Sequence, residues 1–126
     1  MQFKDTIIIG ITMLVIDYLY LSNIGGPPFL RMVENIQNEK SIVKYKSAAL
    51  VYILMVIAMQ KYVITSQSHL NAFLLGIIIY GVFDFTNMAI FNKYELKIAI
   101  LDTLWGGILF TITNFLYHKI NSMLKN

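Results

Sequence analysis

The chain has no cysteine among its 126 residues, which excludes disulfides, a thiolate nucleophile and any cysteine-ligated metal. It has only two prolines, adjacent at Pro27 and Pro28, so no other position carries this helix breaker. Charge is scarce too. Asp, Glu, Lys and Arg make up 13% of the residues, against about 25% in a soluble domain. Arg31 is the single arginine, and a net charge of +3 is spread over scattered lysines. No basic stripe exists that would hold a nucleic acid. No glycine-rich loop precedes a Lys-Ser or Lys-Thr pair, and no His-Glu-x-x-His occurs. A hydrolytic Ser-His-Asp set is excluded by placement. Ser66, Ser68 and His69 share one turn, while the acids inside apolar runs fall near the opposite membrane face.

What the chain does have is apolar length. Hydrophobic residues make up 57% and mean hydropathy is +0.63. A chain this short cannot enclose so much apolar surface in a soluble core. The fold class that follows is all-α: a polytopic membrane protein folded as one four-helix transmembrane bundle over residues 1–126. Spans are expected at about 6–24, 47–63, 70–91 and 98–117, each close to the ~20 residues that cross a hydrocarbon core. Lys4 ahead of Thr6–Tyr20 imitates a signal peptide, but Asp17 interrupts the apolar stretch and no small-x-small site follows, so a retained span is expected. Gly25-Gly26-Pro27-Pro28 is expected to end the first span, with Asn23 capping it. Phe29, Leu30, Met32, Val33 and Ile36 then recur at helical spacing among Arg31, Glu34 and Asn35, the pattern of an interfacial amphipathic helix. His69 reads as polar loop surface, and His118–Asn126 as a short polar tail. Loops 25–46 and 92–97 carry six basic residues against four on the other side, which places the loops in the cytoplasm and both termini outside.

Three acids interrupt the spans: Asp17, Asp84 and Asp102. A charge near mid-membrane costs at least about 2.5–3.5 kcal/mol in a lipid-facing position. At about 1.5 Å per residue, Asp17 and Asp84 each lie roughly 10 Å from one membrane face and Asp102 about 6 Å from that same face. Tyr80, Asp84 and Asn87 follow i, i+4, i+7 spacing and share a helix face, with Thr86 beside them. Asp102 and Trp105 share another face, and Tyr20 stands beneath Asp17. Gly76, Gly81, Gly106 and Gly107 would let helices approach closely. The acids are therefore expected to converge in a crevice open toward the basic loops. No Lys or Arg within a span pairs with them, and like charges so placed cannot all stand ionised. Either a proton is retained or a bound cation neutralises them.

These residues also carry a resemblance. Tyr80-Gly81-Val82-Phe83-Asp84-Phe85-Thr86-Asn87 resembles the central motif of a family of small four-span predicted membrane proteins of unknown function, found in bacteria and large DNA viruses. Asp102-Thr103-Leu104-Trp105-Gly106 resembles its second motif, Asp-x-x-Trp-Gly. Asp17-Tyr18-Leu19-Tyr20-Leu21 resembles its first, Asp-x-x-Trp-Leu, with Tyr20 in place of tryptophan. The resemblance spans nearly the whole chain and implies the four-span fold, but it brings no activity with it.

Three functions stay open at this stage. In the first, Asp17, Asp84 and Asp102 bind or conduct cations or protons, with Asn87 and Tyr80 as neutral partners, Tyr20, Thr86 and Trp105 in support, and a homo-oligomer completing the path. The second is a structural subunit whose acids pair with a basic residue of a membrane partner. The third is an enzyme acting on lipid, with the acids as general acid and base or as ligands of a divalent metal. Membrane lipid is the one partner common to all three.

Overall fold

The computed structural model describes residues 3–125, and every regular element within them is helical. Helix α1 (Phe3–Tyr20) runs through a π-helical turn (Leu21–Gly25) into α2 (Gly26–Gln37). Helix α3 (Tyr45–Tyr62) leads through a 3₁₀ turn (Ile64–Ser66) to α4 (His69–Ile90), and α5 (Leu96–Leu124) closes the chain. Four helical stretches are long and apolar enough to cross a membrane: Phe3–Gln37, Tyr45–Ser66, His69–Ile90 and Leu96–Leu124. Large apolar side chains are exposed around the bundle, among them Ile11, Leu14, Ile53, Leu74, Ile78 and Ile108. This outward apolar surface suits a lipid environment, and the helices satisfy their own backbone groups as that environment requires.

The Gly-Gly-Pro-Pro segment does not end the first span as its composition suggests. Pro27 and Pro28 occupy the opening positions of α2, where missing N–H groups cost least. The backbone reaches them by widening. Gly26 N–H donates to the Leu21 carbonyl, a bond five residues back. A Cβ on Gly26 would collide with that carbonyl, so the turn requires glycine here. Ser22 Oγ donates to the Tyr18 carbonyl at 2.6 Å and Asn23 Nδ2 to the Leu19 carbonyl at 2.8 Å. Asn23 thus serves carbonyls inside a continuing helix instead of capping its end.

The amphipathic α2 forms as its spacing predicts, but its apolar face docks on protein. Met32, 1% exposed, packs with Tyr94, Ile98 and Ala99 where α4 turns into α5, joined by Phe29 and Ile36. Helix α2 ends at Asn38, which takes the left-handed conformation (φ 59°). Residues 118–124, expected as a polar tail, instead continue α5 for two further turns. No proline or glycine follows Gly107 to stop it.

The main core joins Ile9 and Met13 of α1, Met55, Val56 and Met59 of α3, Ala72 of α4, and Leu109 and Phe110 of α5. Helices α4 and α5 form the most extensive pair. Their crossing rests on three of the four glycines singled out by sequence. A Cβ on Gly76 would strike the Gly106 backbone, one on Gly106 would enter the Tyr80 ring, and one on Gly107 would lie 2.7 Å from Phe73 Cε2. Gly81 is different, because a Cβ there meets Thr103 Cγ2 at an ordinary 3.4 Å. Gly76→Ala should therefore lower unfolding free energy in detergent titrations by about 1–3 kcal/mol, the usual cost of overpacking. Gly81→Ala should change it by well under half as much. Equal effects at the two positions would contradict this account of the crossing.

Candidate functional site

On α1, Ile9, Met13, Asp17 and Tyr20 are buried along one stripe. On α4 the stripe is Ala72, Gly76 and Asp84, with Tyr80 half-buried between them. On α5 it begins at Asp102, Trp105 and Gly106. Helical periodicity therefore carries all three acids inward, and the α4–α5 crossing fixes two of the three helices that bear them.

Asp17 is 4% exposed and accepts two hydrogen bonds from different helices. Trp105 Nε1 of α5 donates to its Oδ1 at 2.9 Å, and the Tyr52 hydroxyl of α3 donates to its Oδ2. Tyr20 stacks face to face on Trp105, with ring centroids 3.9 Å apart and planes 5° from parallel. A Cβ on Gly25 would enter the Tyr20 ring, so the π turn also makes room for this stack. Asp84 is fully buried. The Tyr94 hydroxyl donates to its Oδ1 at 2.7 Å, and Thr103 Oγ1 approaches its Oδ2 at a long 3.5 Å. Tyr94 is itself in hydrogen-bonding contact with Asn87. Asp102 receives no bond from a phenol, indole or hydroxyl among the described residues. It lies near the Asp84 carboxyl and lines a cavity together with Asp17.

Of the residues singled out by sequence, Asp17, Tyr20 and Trp105 are linked by direct contacts, while Asp102 and Asn87 stand near Asp84 and its partner Tyr94. Tyr80 makes no hydrogen bond to Asp84. Its ring lies over Gly106 and faces a cavity of about 400 Å³ that Asp17, Asp102 and Trp105 also line. Thr86 is exposed on α4 and makes no hydrogen bond to the acids among the described residues. Sequence reasoning missed Tyr52 and Tyr94, the two phenols that hold the acids. Tyr52 reads as an interfacial aromatic, and Tyr94 lies in the loop between α4 and α5. The usable signal was physical: each buried carboxyl must find donors. Among the described residues no three His, Asp or Glu side chains stand together as a metal-ligand set.

A second polar tier lies at the other end of the bundle. The Tyr117 hydroxyl donates to Asp5 Oδ1 at 2.7 Å, and Gln60 Nε2 to Thr6 Oγ1 at 2.7 Å. Asn114 Nδ2 lies 3.1 Å from His69 Nδ1, so His69 is engaged by a buried amide and is more than loop surface. Ile9, Met13, Met59, Leu109 and Phe110, all fully buried, form the main core on the same helices as the two tiers.

Comparison with known proteins gives one match. Residues 3–117 match the model of a family described as "Predicted membrane protein (DUF2177)". No curated protein and no solved structure matches.

Two outcomes follow from the geometry. Trp105 is the only tryptophan, so tryptophan fluorescence reports on the indole that donates to Asp17. Asp17→Leu should shift that emission and cost about 1–3 kcal/mol for each donor it orphans, whereas Tyr52→Phe should leave the emission nearly unchanged. At Tyr94, burial first and then the bond to Asp84 hold the phenol well above the usual tyrosine value of about 10. The contribution of Tyr94 to stability should thus be complete below about pH 10 and decline as pH rises further. Unfolding titrations from pH 8 to 11 should show a steeper loss above pH 10 in wild type than in Tyr94→Phe.

Proposed function

The chain belongs to that family of predicted membrane proteins of unknown function, and on this premise we propose that it is an integral membrane protein which takes up and releases protons at Asp17, Asp84 and Asp102. The feature that carries the reading is the approach of Asp102 to the buried Asp84, beside a cavity that Asp17 and Asp102 line together. Two carboxyls held close together share a proton, because two full charges at short separation repel strongly. Among the described residues no Lys or Arg pairs with them, so positive charge must come from outside the protein. A proton passes from one carboxyl to its neighbour or to water, and the site returns to its starting state when another proton arrives. Asp17 lies within the same electrostatic neighbourhood, and Asn87 and Tyr94 set the orientation of Asp84. The long contact from Thr103 leaves Asp84 Oδ2 weakly held and free to exchange.

A small hard cation suits the site less well than a proton, because few oxygens line the cavity. A divalent metal fits least well, because both Asp17 oxygens and Asp84 Oδ1 already accept from protein donors, and no three acids stand together as a ligand set among the described residues. In this proposal loops 25–46 and 92–97 face the cytoplasm and the acids open toward that side. A second reading is favoured by Asp17 itself. Both of its oxygens are held by donors from two other helices, which is how an architectural joint is built, so Asp17 can be structural even where Asp84 and Asp102 are not. In that reading the protein is a subunit for a membrane partner or for copies of itself. The lipid-enzyme reading gains least support, since His69 and His118 sit with the opposite polar tier.

Proton flux in liposomes under an imposed pH gradient tests the proposal. Asp84→Asn and Asp102→Asn should each reduce it by about a hundredfold, the lower range of what a positioned proton-transfer group supplies. Infrared difference spectra should lose one protonated-carboxyl band in the same variants. Flux at wild-type level in both folded variants would sink the proton reading.

A further inference from the structure

The cavity beside the acids has features that proton exchange alone does not use. It measures about 400 Å³, inside the range of about 300–1,000 Å³ typical of small-molecule sites. Its polar atoms are few. Among the described residues, Asp17 and Asp102 are the only charged groups lining it, and no Lys, Arg or His does. Tyr80 and Trp105 supply aromatic surface next to those acids. The remaining wall is aliphatic or phenyl, from Leu21, Val51, Leu54 and Phe83 among others, and these four side chains are 41–57% exposed on the outer surface of the bundle. The cavity therefore opens sideways, through apolar residues, into the region that lipid occupies.

We propose that this cavity binds a lipophilic organic monocation, such as a hydrophobic amine in its protonated form, which enters from the membrane and displaces a proton from the Asp84–Asp102 pair. The proposal rests on the acid cluster being the proton-handling site and names what competes with the proton there. Three observations select the occupant. The lining charge is of one sign, so an anion is repelled. The wall offers too few oxygens to replace the water shell of a small hard cation, whereas an apolar body gains by burial against it. Tyr80 and Trp105 favour a cationic centre at ring distance. Asp102 is the group with which the cation pairs, since Asp17 is already held by Tyr52 and Trp105 and Asp84 by Tyr94. The charge balances: one cation binds, the carboxyl pair releases one proton, and that proton leaves to water. A zwitterionic lipid headgroup suits the site poorly, because its phosphate would meet the same carboxylates with no basic residue to receive it.

The test compares two ions of the same shape and opposite charge. Purified protein in phosphatidylcholine nanodiscs is titrated with tetraphenylphosphonium and with tetraphenylborate, against empty nanodiscs. Saturable binding of the cation alone is expected, with release of about one proton per cation bound on the balance above. Asp102→Asn should weaken it about thirtyfold or more, as loss of one partner of a desolvated charge pair does, and Trp105→Leu about fivefold through the lost aromatic face. Val51→Trp leaves every acid in place and fills the cavity, so it should abolish cation binding while the carboxyl infrared bands persist. This keeps the proposal testable if Asp102→Asn does not fold. Equal binding of both ions, or none above empty nanodiscs, overturns the proposal. So does loss of cation binding when phosphatidylethanolamine is added, because the occupant would then be a lipid headgroup. Proton flux with no cation binding leaves the proton reading standing and this one fallen. Cation binding without proton release fails both the exchange and the proton reading.

Discussion

A carboxyl group packed between helices inside a bilayer is costly unless the protein supplies donors to its oxygens, as it does for Asp17 and Asp84. That constraint orders the upper half of this bundle. Asp17 on α1 is met by Tyr52 on α3 and Trp105 on α5, and those two bonds join three helices at one point. Asp84 on α4 is met by Tyr94, which packs with Met32 of α2. Every helix is thereby referred to one of two acids. Dispersion contacts between apolar surfaces give helices in lipid little reason to choose one rotation over another, because lipid tails are as apolar as leucine. The acids give that reason.

Much of this was legible in sequence, and for identifiable causes. Four spans follow from apolar run length, and the inward placement of Asp17, Asp84 and Asp102 follows from helical period and the cost of facing lipid. Gly76, Gly106 and Gly107 were readable as close-approach positions, although Gly81 looks identical in sequence and is not under the same pressure. What could not be read was long-range. Tyr52 and Tyr94 stand 35 and 10 residues from the acids they hold, and eight tyrosines compete for the role. Thr86 illustrates the opposite error, since adjacency in sequence put it beside Asp84 while helical rotation turned it outward. The Gly-Gly-Pro-Pro segment misled because its local meaning, a helix stop, was overridden by α2 docking against the α4–α5 turn.

The two polar tiers differ in kind. The tier around Asp84 and Asp102 crowds acids together. The tier at the other end pairs amides, hydroxyls, imidazole and the single acid Asp5, and it holds buried polar atoms with no partner among the described residues: Thr113 Oγ1, Asn114 Oδ1 and His118 Nε2. Phe110 and Leu109 precede that tier on α5, and both are fully buried. A charge held among the acids would have to pass this apolar packing to reach the far face. The architecture is thus better suited to loading and unloading from one side or from the lipid than to a continuous pore.

The wide turn at Leu21–Gly25 has a consequence for how this chain can vary. Each residue of an α-helix advances about 100°, so around an unbroken helix Met32 would sit about 120° from Tyr20 and miss the bundle. One extra residue absorbed in the π turn brings Met32 back to within about 20° of it. The turn is a register shift, the trace that a single inserted residue leaves in a helix. Deleting one residue between positions 21 and 25 would restore a regular helix with α2 in the same phase, whereas tightening the turn with every residue retained would swing Met32 away from Tyr94. What the segment holds constant is phase, and Gly25 and Gly26 are the positions without side chains that let it do so.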